Sequence, residues 1–221
     1  MSSYNVKINN DKTDNDKTDN DKTDNDLKLE LIAYKTNLSS KTRIQKYHII
    51  RQNGITIKHK ICNVYAPFGR QTNVDHKTKQ IFDQHRLNIC FSKNQIDPDS
   101  KHKPYLELKR LITELETYFG TFDDLTNYQL LSNIINRDDY GIVIRFHLKT
   151  NKNKTITPLI QVSSENLNNI DIVDNTKITE WNDFNKTKQF NFNFHPDSLW
   201  IDHIHKKYGV SLMIDKVFQI I

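Results

Sequence analysis

Cations and flat rings recur at alternate positions along this sequence. Lys58 and Lys60 lead into the stretch "NVYAPFGRQ", which holds Tyr65, Phe68 and Arg70, and Arg86, Arg145, His147 and Lys149 follow in two further alternating runs. Single-stranded nucleic acid requires this pairing of types: cations follow the phosphates, and aromatic faces accept unstacked bases at ~1–3 kcal/mol each. The plainer reading is that any half-solvated strand alternates apolar with charged residues. Asn, Ile and Lys make up about a third of the chain, as the codons of an AT-rich genome would supply. Arginine codons do not share that origin, so the arginines carry more of the argument.

Other chemistries find less support. His203 and His205 flank Ile204, and on a strand they would share one face, where Asp202 would complete a metal site; no cysteine cluster or second histidine pair accompanies them. Asp138 and Asp139 precede a strand-like run as a metal-dependent nuclease pair would, and equally as ordinary turn residues do. The chain has no Walker-type glycine loop, dinucleotide fingerprint, G-x-S-x-G or H-E-x-x-H. The expectation is a non-enzymatic protein with no catalytic residue, no metal site and no cofactor. Trp181 and Trp200 divide between stacking platform and core, since Trp200 in "SLWIDHI" sits between Leu199 and Ile201.

The elements that must position these residues are mostly strands. Leu27, Leu29 and Leu31 alternate where order should begin, and Arg43–Gln52 and Ile55–Ala66 flank Asn53-Gly54, the dipeptide of a two-residue hairpin. In the second arm the apolar alternation changes sides midway, as in a strand bending around a small barrel. Leu87, Ile89 and Phe91 predict a strand over 86–91. From Pro104 to Phe119 the period lengthens: Leu108, Leu111, Ile112, Leu115 and Phe119 mark one face of a helix that Gly120 stops. A shorter helix is expected over 125–135. Strands return at 141–149, with Arg145 and His147 facing away from Ile144 and Phe146, then at 155–162, 189–194 and 208–220. The polar, Asn-rich segment 163–188 reads as a loop insertion. The fold class expected is α+β: a mainly antiparallel OB-like β-barrel or curled sheet with one long amphipathic helix between strands.

The chain has 221 residues, enough for one core. Residues 11–25 repeat DKTDN three times in a tail, 1–26, with seven Asp against four Lys, so a net charge of +5 overall leaves +8 on residues 27–221. That tail is expected to be disordered. Replication slippage explains the repeat; an acidic segment competing with an anionic ligand is the functional alternative. The basic remainder favours an anionic partner. Cys62 and Cys90 both lie in apolar runs and suit a reducing compartment. No apolar stretch reaches the ~20 residues of a membrane span, so no membrane partner is expected.

Three stretches resemble the OB-fold single-stranded DNA-binding proteins of large nucleocytoplasmic DNA viruses, which are distantly similar to the phage T7 type. These are the helix "YLELKRLITELETYF", the paired strands "YGIVIRFHLKTNKNKTITPLI" and the closing hairpin "SLWIDHIHKKYGVSLMIDKVFQI", with "YAPFGRQ" as a fourth. They cover residues 104–221. The resemblance implies a protein that coats single strands in viral replication, repair or recombination, working in a cytoplasmic viral factory or the nucleus of an infected cell. It places Arg145 and His147 on the binding sheet. Single-stranded DNA is the expected partner, with RNA as the other candidate strand and replication proteins as further partners; the oligomeric state is left open. T7-type proteins end on an acidic carboxy-terminal tail, whereas the acidic run here is amino-terminal and the sequence closes on "VFQII". The alternative is a protein-interaction or scaffold domain.

Overall fold

The computed structural model describes residues 29–33, 44–51, 58–74, 81–97, 102–138, 141–152, 154–162 and 177–220. The acidic repeat and the Asn53-Gly54 turn lie outside them. In chain order the elements are β1 (Leu29–Ala33), β2 (Ile44–Arg51), β3 (His59–Val64), β4 (Arg70–Val74), β5 (Ile81–Phe91), α1 (Lys93–Ile96) and α2 (Lys103–Gly120). They continue with β6 (Gln129–Leu130), β7 (Ile134–Arg137), β8 (Gly141–Leu148), β9 (Thr150–Asn151), β10 (Lys154–Thr155), β11 (Leu159–Val162), β12 (Lys177–Thr179), β13 (Phe190–Asp202) and β14 (Lys207–Ile220). The architecture is mainly β with one long helix.

Twelve strands share one sheet whose main path is β1-β2-β13-β14-β8-β5-β4, with β3 on β13, β6 and β11 on β14, β7 on β8 and β12 on β11. Pairing is antiparallel except where β14 meets β6, β8 and β11. Among the described residues, continuous pairing does not close the sheet; a single bridge, in which the Cys90 amide donates to the Tyr65 carbonyl at 3.0 Å, joins the end of β3 to β5.

The spine is the β13–β14 hairpin. Phe190, Phe192 and Phe194, all fully buried, alternate as expected, and Phe146 of β8 meets the latter two edge-on with ring centroids 5.0 Å away. Such contacts contribute ~0.5–1.5 kcal/mol each beyond area burial. Register shifts at Asn193/Phe194 and Pro196/Ser198 re-aim the long strand, so that its next core residues are Leu199 and Ile201. Along its other edge run β3, against Phe190–Phe194, and β2, against Ser198–Asp202. The expected β2–β3 hairpin is therefore corrected: β2 lies between β1 and β13, and among the described residues β3 pairs with β13 rather than with β2. Two neighbours on one long strand outcompete a local turn preference.

The expected change of side within β3 is present. Asn63 takes φ +57°, its amide donates to the buried Asn191 carboxamide at 2.8 Å, and Ile61 and Val64 both reach the core across the resulting bulge.

Helix α2 buries Leu108, Leu111, Ile112, Leu115 and Phe119, the predicted stripe, with Pro104 in its first turn. It also buries Glu116, which accepts from Ser132 Oγ at 2.8 Å and the Asn133 amide at 3.0 Å, while Asn133 Nδ2 donates to the Val210 carbonyl at 2.7 Å. Burial lifts the Glu116 carboxyl above the usual carboxylate range against those two hydrogen bonds. This network explains why 125–135 is not a helix. After a short 3-10 turn at Asp123–Leu125, the segment runs extended as β6 and β7 in the gap where β14 and β8 diverge. Lys177–Thr179 and the turn at Trp181–Asp183 likewise give structure to the far end of the predicted insertion.

Candidate nucleic-acid interface

The two strands that carry Arg86 and Arg145 are direct neighbours. β5 pairs with β8 so that Arg86 stands opposite His147 and Asn88 opposite Arg145, while Leu87, Ile89, Ile144 and Phe146 fill the core on the other face. Gly141 begins β8 at φ +88°, where a Cβ would come within 2.3 Å of the Phe91 carbonyl oxygen; only glycine lets the strands meet at this point.

Alternation then concentrates positive charge. Burial lowers the Arg86 guanidinium, and Arg145 lowers it further; burial and Arg137 do the same to Arg145. His147 is pushed down to about 4, chiefly by burial and then by Arg86, Lys46 and Arg145, with Asp197 opposing. Lys46 reaches this cluster from β2, directly beside Trp200 of β13. The Nε atoms of Arg86 and Arg145 are buried and unbonded, and none of Lys46, Arg86, Arg137 and Arg145 forms an ion pair among the described residues. Partly desolvated like charges held together cost stability in the free protein. Perturbed groups of this kind mark a candidate binding site for a ligand of opposite charge.

The other end of the same face is balanced. Lys149 Nζ donates to Asp215 Oδ1 at 2.6 Å, and His195 Nδ1 lies 2.9 Å from Asp215 Oδ2. Burial pulls the His195 imidazole down, but its hydrogen bond to Asp215 and the charge of Asp197, 3.8 Å away, outweigh it and lift it to about 9. Burial would raise Asp215, yet its bonds to His195 and Lys149 hold it at about 2.

The expected site residues therefore separate. Arg86, Arg145 and His147 come together, with His147 neutral near pH 7. Tyr65, 38% exposed, joins their face through its bridge to Cys90. Phe68 is 44% exposed at the tip of a turn closed by Gly69, whose amide donates to the Ala66 carbonyl at 2.8 Å. Arg70 turns elsewhere: it pairs with Leu87 in register and donates to Thr155 Oγ1 at 3.2 Å and Asn182 Oδ1 at 3.4 Å. Lys149 is committed to Asp215. Lys58 and Lys60 line a groove of 230 Å³ against α2, with Glu107 and Arg110, and neither perturbs Arg86, Arg145 or His147.

Trp181 is core, its indole N–H donating to the Thr157 carbonyl at 2.7 Å. Trp200 faces away from Leu199 and Ile201, half-buried over Gly209, where a Cβ would come within 2.7 Å of its ring. Lys46 and Arg137 join the candidate face without having been singled out from sequence, and Trp200, divided there between stacking platform and core, stands on it. The alternation of "SLWID" and a glycine opposite the indole were the available signals. His203 and His205 lie in the turn between β13 and β14 rather than on a strand, the first bonded to Tyr128 Oη at 2.8 Å and the second to Asp202 at 2.7 Å. Asp138 is exposed at the end of β7; Asp139 lies outside the described residues. Comparison of the chain with protein-family models and with curated proteins found no match in either.

Proposed function

We propose that this protein binds single-stranded DNA across the outer face of β5 and β8, in the replication, repair or recombination of a large DNA virus, on an OB-like, partly open barrel. The observation that carries the reading is the cluster of Lys46, Arg86, Arg137 and Arg145, without ion-pair partners among the described residues and spread over neighbouring strands, with Tyr65 and Trp200 on the same face.

Strand order supports the barrel. Starting from β3, the hydrogen-bonded neighbours are β5, β8, β14 and β13, and β13 leads back to β3. Ranked along the chain, that is first, second, third, fifth, fourth and first again, with the third and fifth strands parallel. An OB fold has this neighbour order and binds oligonucleotides on the face of its second and third strands, here β5 and β8. The viral setting rests on the resemblance of the three stretches described above.

Phosphates would lie on Arg86 and Arg145, with Lys46 and Arg137 extending the track. Arg70 and Lys149 already have protein partners and contribute less. Titration of a fluorescent oligo-dT at several salt concentrations tests the reading. Affinity should fall linearly in log–log salt, with a slope of about −0.7 per phosphate neutralised, and Arg145→Glu should weaken binding at least tenfold. Absence of binding at low salt would sink the proposal. A partner interaction insensitive to salt and to Arg145→Glu would transfer the face to protein recognition.

A further inference from the structure

At the end of β5, beyond the arginines, the face opens into a pocket of 490 Å³ lined by Tyr65, Pro67, Cys90, Ser92 and Gln95. We infer that this pocket takes one nucleobase of a single strand whose phosphates lie along Arg86 and Arg145, stacked on the Tyr65 ring. The inference rests on the nucleic-acid reading above and adds to it where a base goes and how it is recognised.

Position comes first. Cys90 follows Asn88 by two residues on the same face of β5, and Asn88 is the register partner of Arg145, so the pocket mouth is about 7 Å along the strand from Arg145 and about 14 Å from Arg86. The Tyr65–Cys90 bridge sets the phenol on that side, 38% exposed, with its hydroxyl unbonded among the described residues. Charge comes second. None of the five lining residues is charged, and the thiol of Cys90 is pushed up to about 11 by burial, so it remains a neutral wall. A neutral, ring-walled recess beside a cationic track matches the division of a nucleotide into base and phosphate.

The polar floor also bears on selectivity. Gln95 Oε1 already accepts from the Ser92 amide at 2.9 Å and Ser92 Oγ at 3.2 Å, and its Nε2 contacts His102 Nε2 at 3.2 Å. With that carboxamide committed, little is left to read a base edge, and the subsite selects for a flat ring rather than for its identity.

The test uses the full chain with oligo-dT and oligo-dC, and a 5-iodouracil-substituted strand for photocross-linking. Tyr65→Ala should weaken both oligomers by about tenfold with the salt slope unchanged, and Tyr65→Phe should keep the affinity. Cys90→Phe, which fills the recess, should reproduce the loss while the thermal midpoint is retained. The cross-link should map to Tyr65. If the wild-type chain binds while Tyr65→Ala and Cys90→Phe both stay within twofold, or the cross-link maps elsewhere, the base subsite is overturned and the phosphate track stands. If the wild-type chain binds neither oligomer, the nucleic-acid reading fails first and the subsite falls with it.

Discussion

At one end of the outer face of β8 and β14, Lys149, Asp215, His195 and Asp197 alternate in sign; at the other, Lys46, Arg86 and Arg145 surround a neutral His147 and Arg137 adjoins Arg145, with no ion-paired carboxylate among the described residues. His147 and His195 both lie partly buried on this face with neighbours of opposite sign, and His147 is the more deeply buried. One is held at about 4 and the other at about 9. Burial lowers both and is the main cause at His147; the neighbours then act in opposite directions, Asp215 and Asp197 lifting His195 while Arg86, Lys46 and Arg145 depress His147 further. A balanced cluster is what stability alone would select, and an unbalanced one persists where an anion completes it.

The sharpest way to break the contrast is to remove the hub of the balanced end. Asp215→Ala leaves His195 and Lys149 without their shared carboxylate and should cost about 3 kcal/mol in urea denaturation, with oligonucleotide affinity measured on the folded fraction little changed. A loss of affinity at constant stability would show that the balanced end belongs to the binding face.

Acid titration separates the two histidines next. The folded state resists protonating His147 down to about 4, whereas an unfolded histidine accepts its proton near pH 6.5. The corresponding stability is fully present above pH ~6.5 and is lost as pH falls towards 4, by about 2–3 kcal/mol. His147→Gln should abolish that slope in denaturation curves followed across the window. His195 runs the other way: its contribution is present below the unfolded value and is lost as pH rises through about 9, and Asp215→Ala should flatten that arm.

The smallest expected change is in the stability of the unbalanced end. Arg86→Met relieves like-charge repulsion and should leave the protein as stable as the wild type or more stable by about 1 kcal/mol, while reducing oligo-dT affinity and making the salt slope shallower by about 0.7. A clear destabilisation would mean that Arg86 has a structural partner, and the comparison between the two ends would lose its basis.

Periodicity made a good part of this legible. The stripe of α2, the Phe190–Phe192–Phe194 row, the core side of β5 and β8, and the outward setting of Arg86, Arg145 and His147 all follow from side-chain alternation, which local sequence carries. Three features did not. Residues 125–135 have helix-like apolar spacing, yet the gap between β14 and β8 and the buried Glu116–Asn133 network draw them out as strands. Arg70 looks identical to Arg86 in sequence, but its register partner is a core residue and its guanidinium turns to Thr155 and Asn182. Lys149 continues the Arg145–His147 series and is neutralised by a residue 66 positions away.

By itself the sequence determined which residues face the core and which face out, because strand and helix periods are set by backbone geometry within a few residues. Only the tertiary structure decided which outward cations are free. A charge acts on a ligand or is cancelled according to neighbours that β-pairing brings from distant parts of the chain, and Asp215 reaches Lys149 while no carboxylate reaches Arg145 among the described residues.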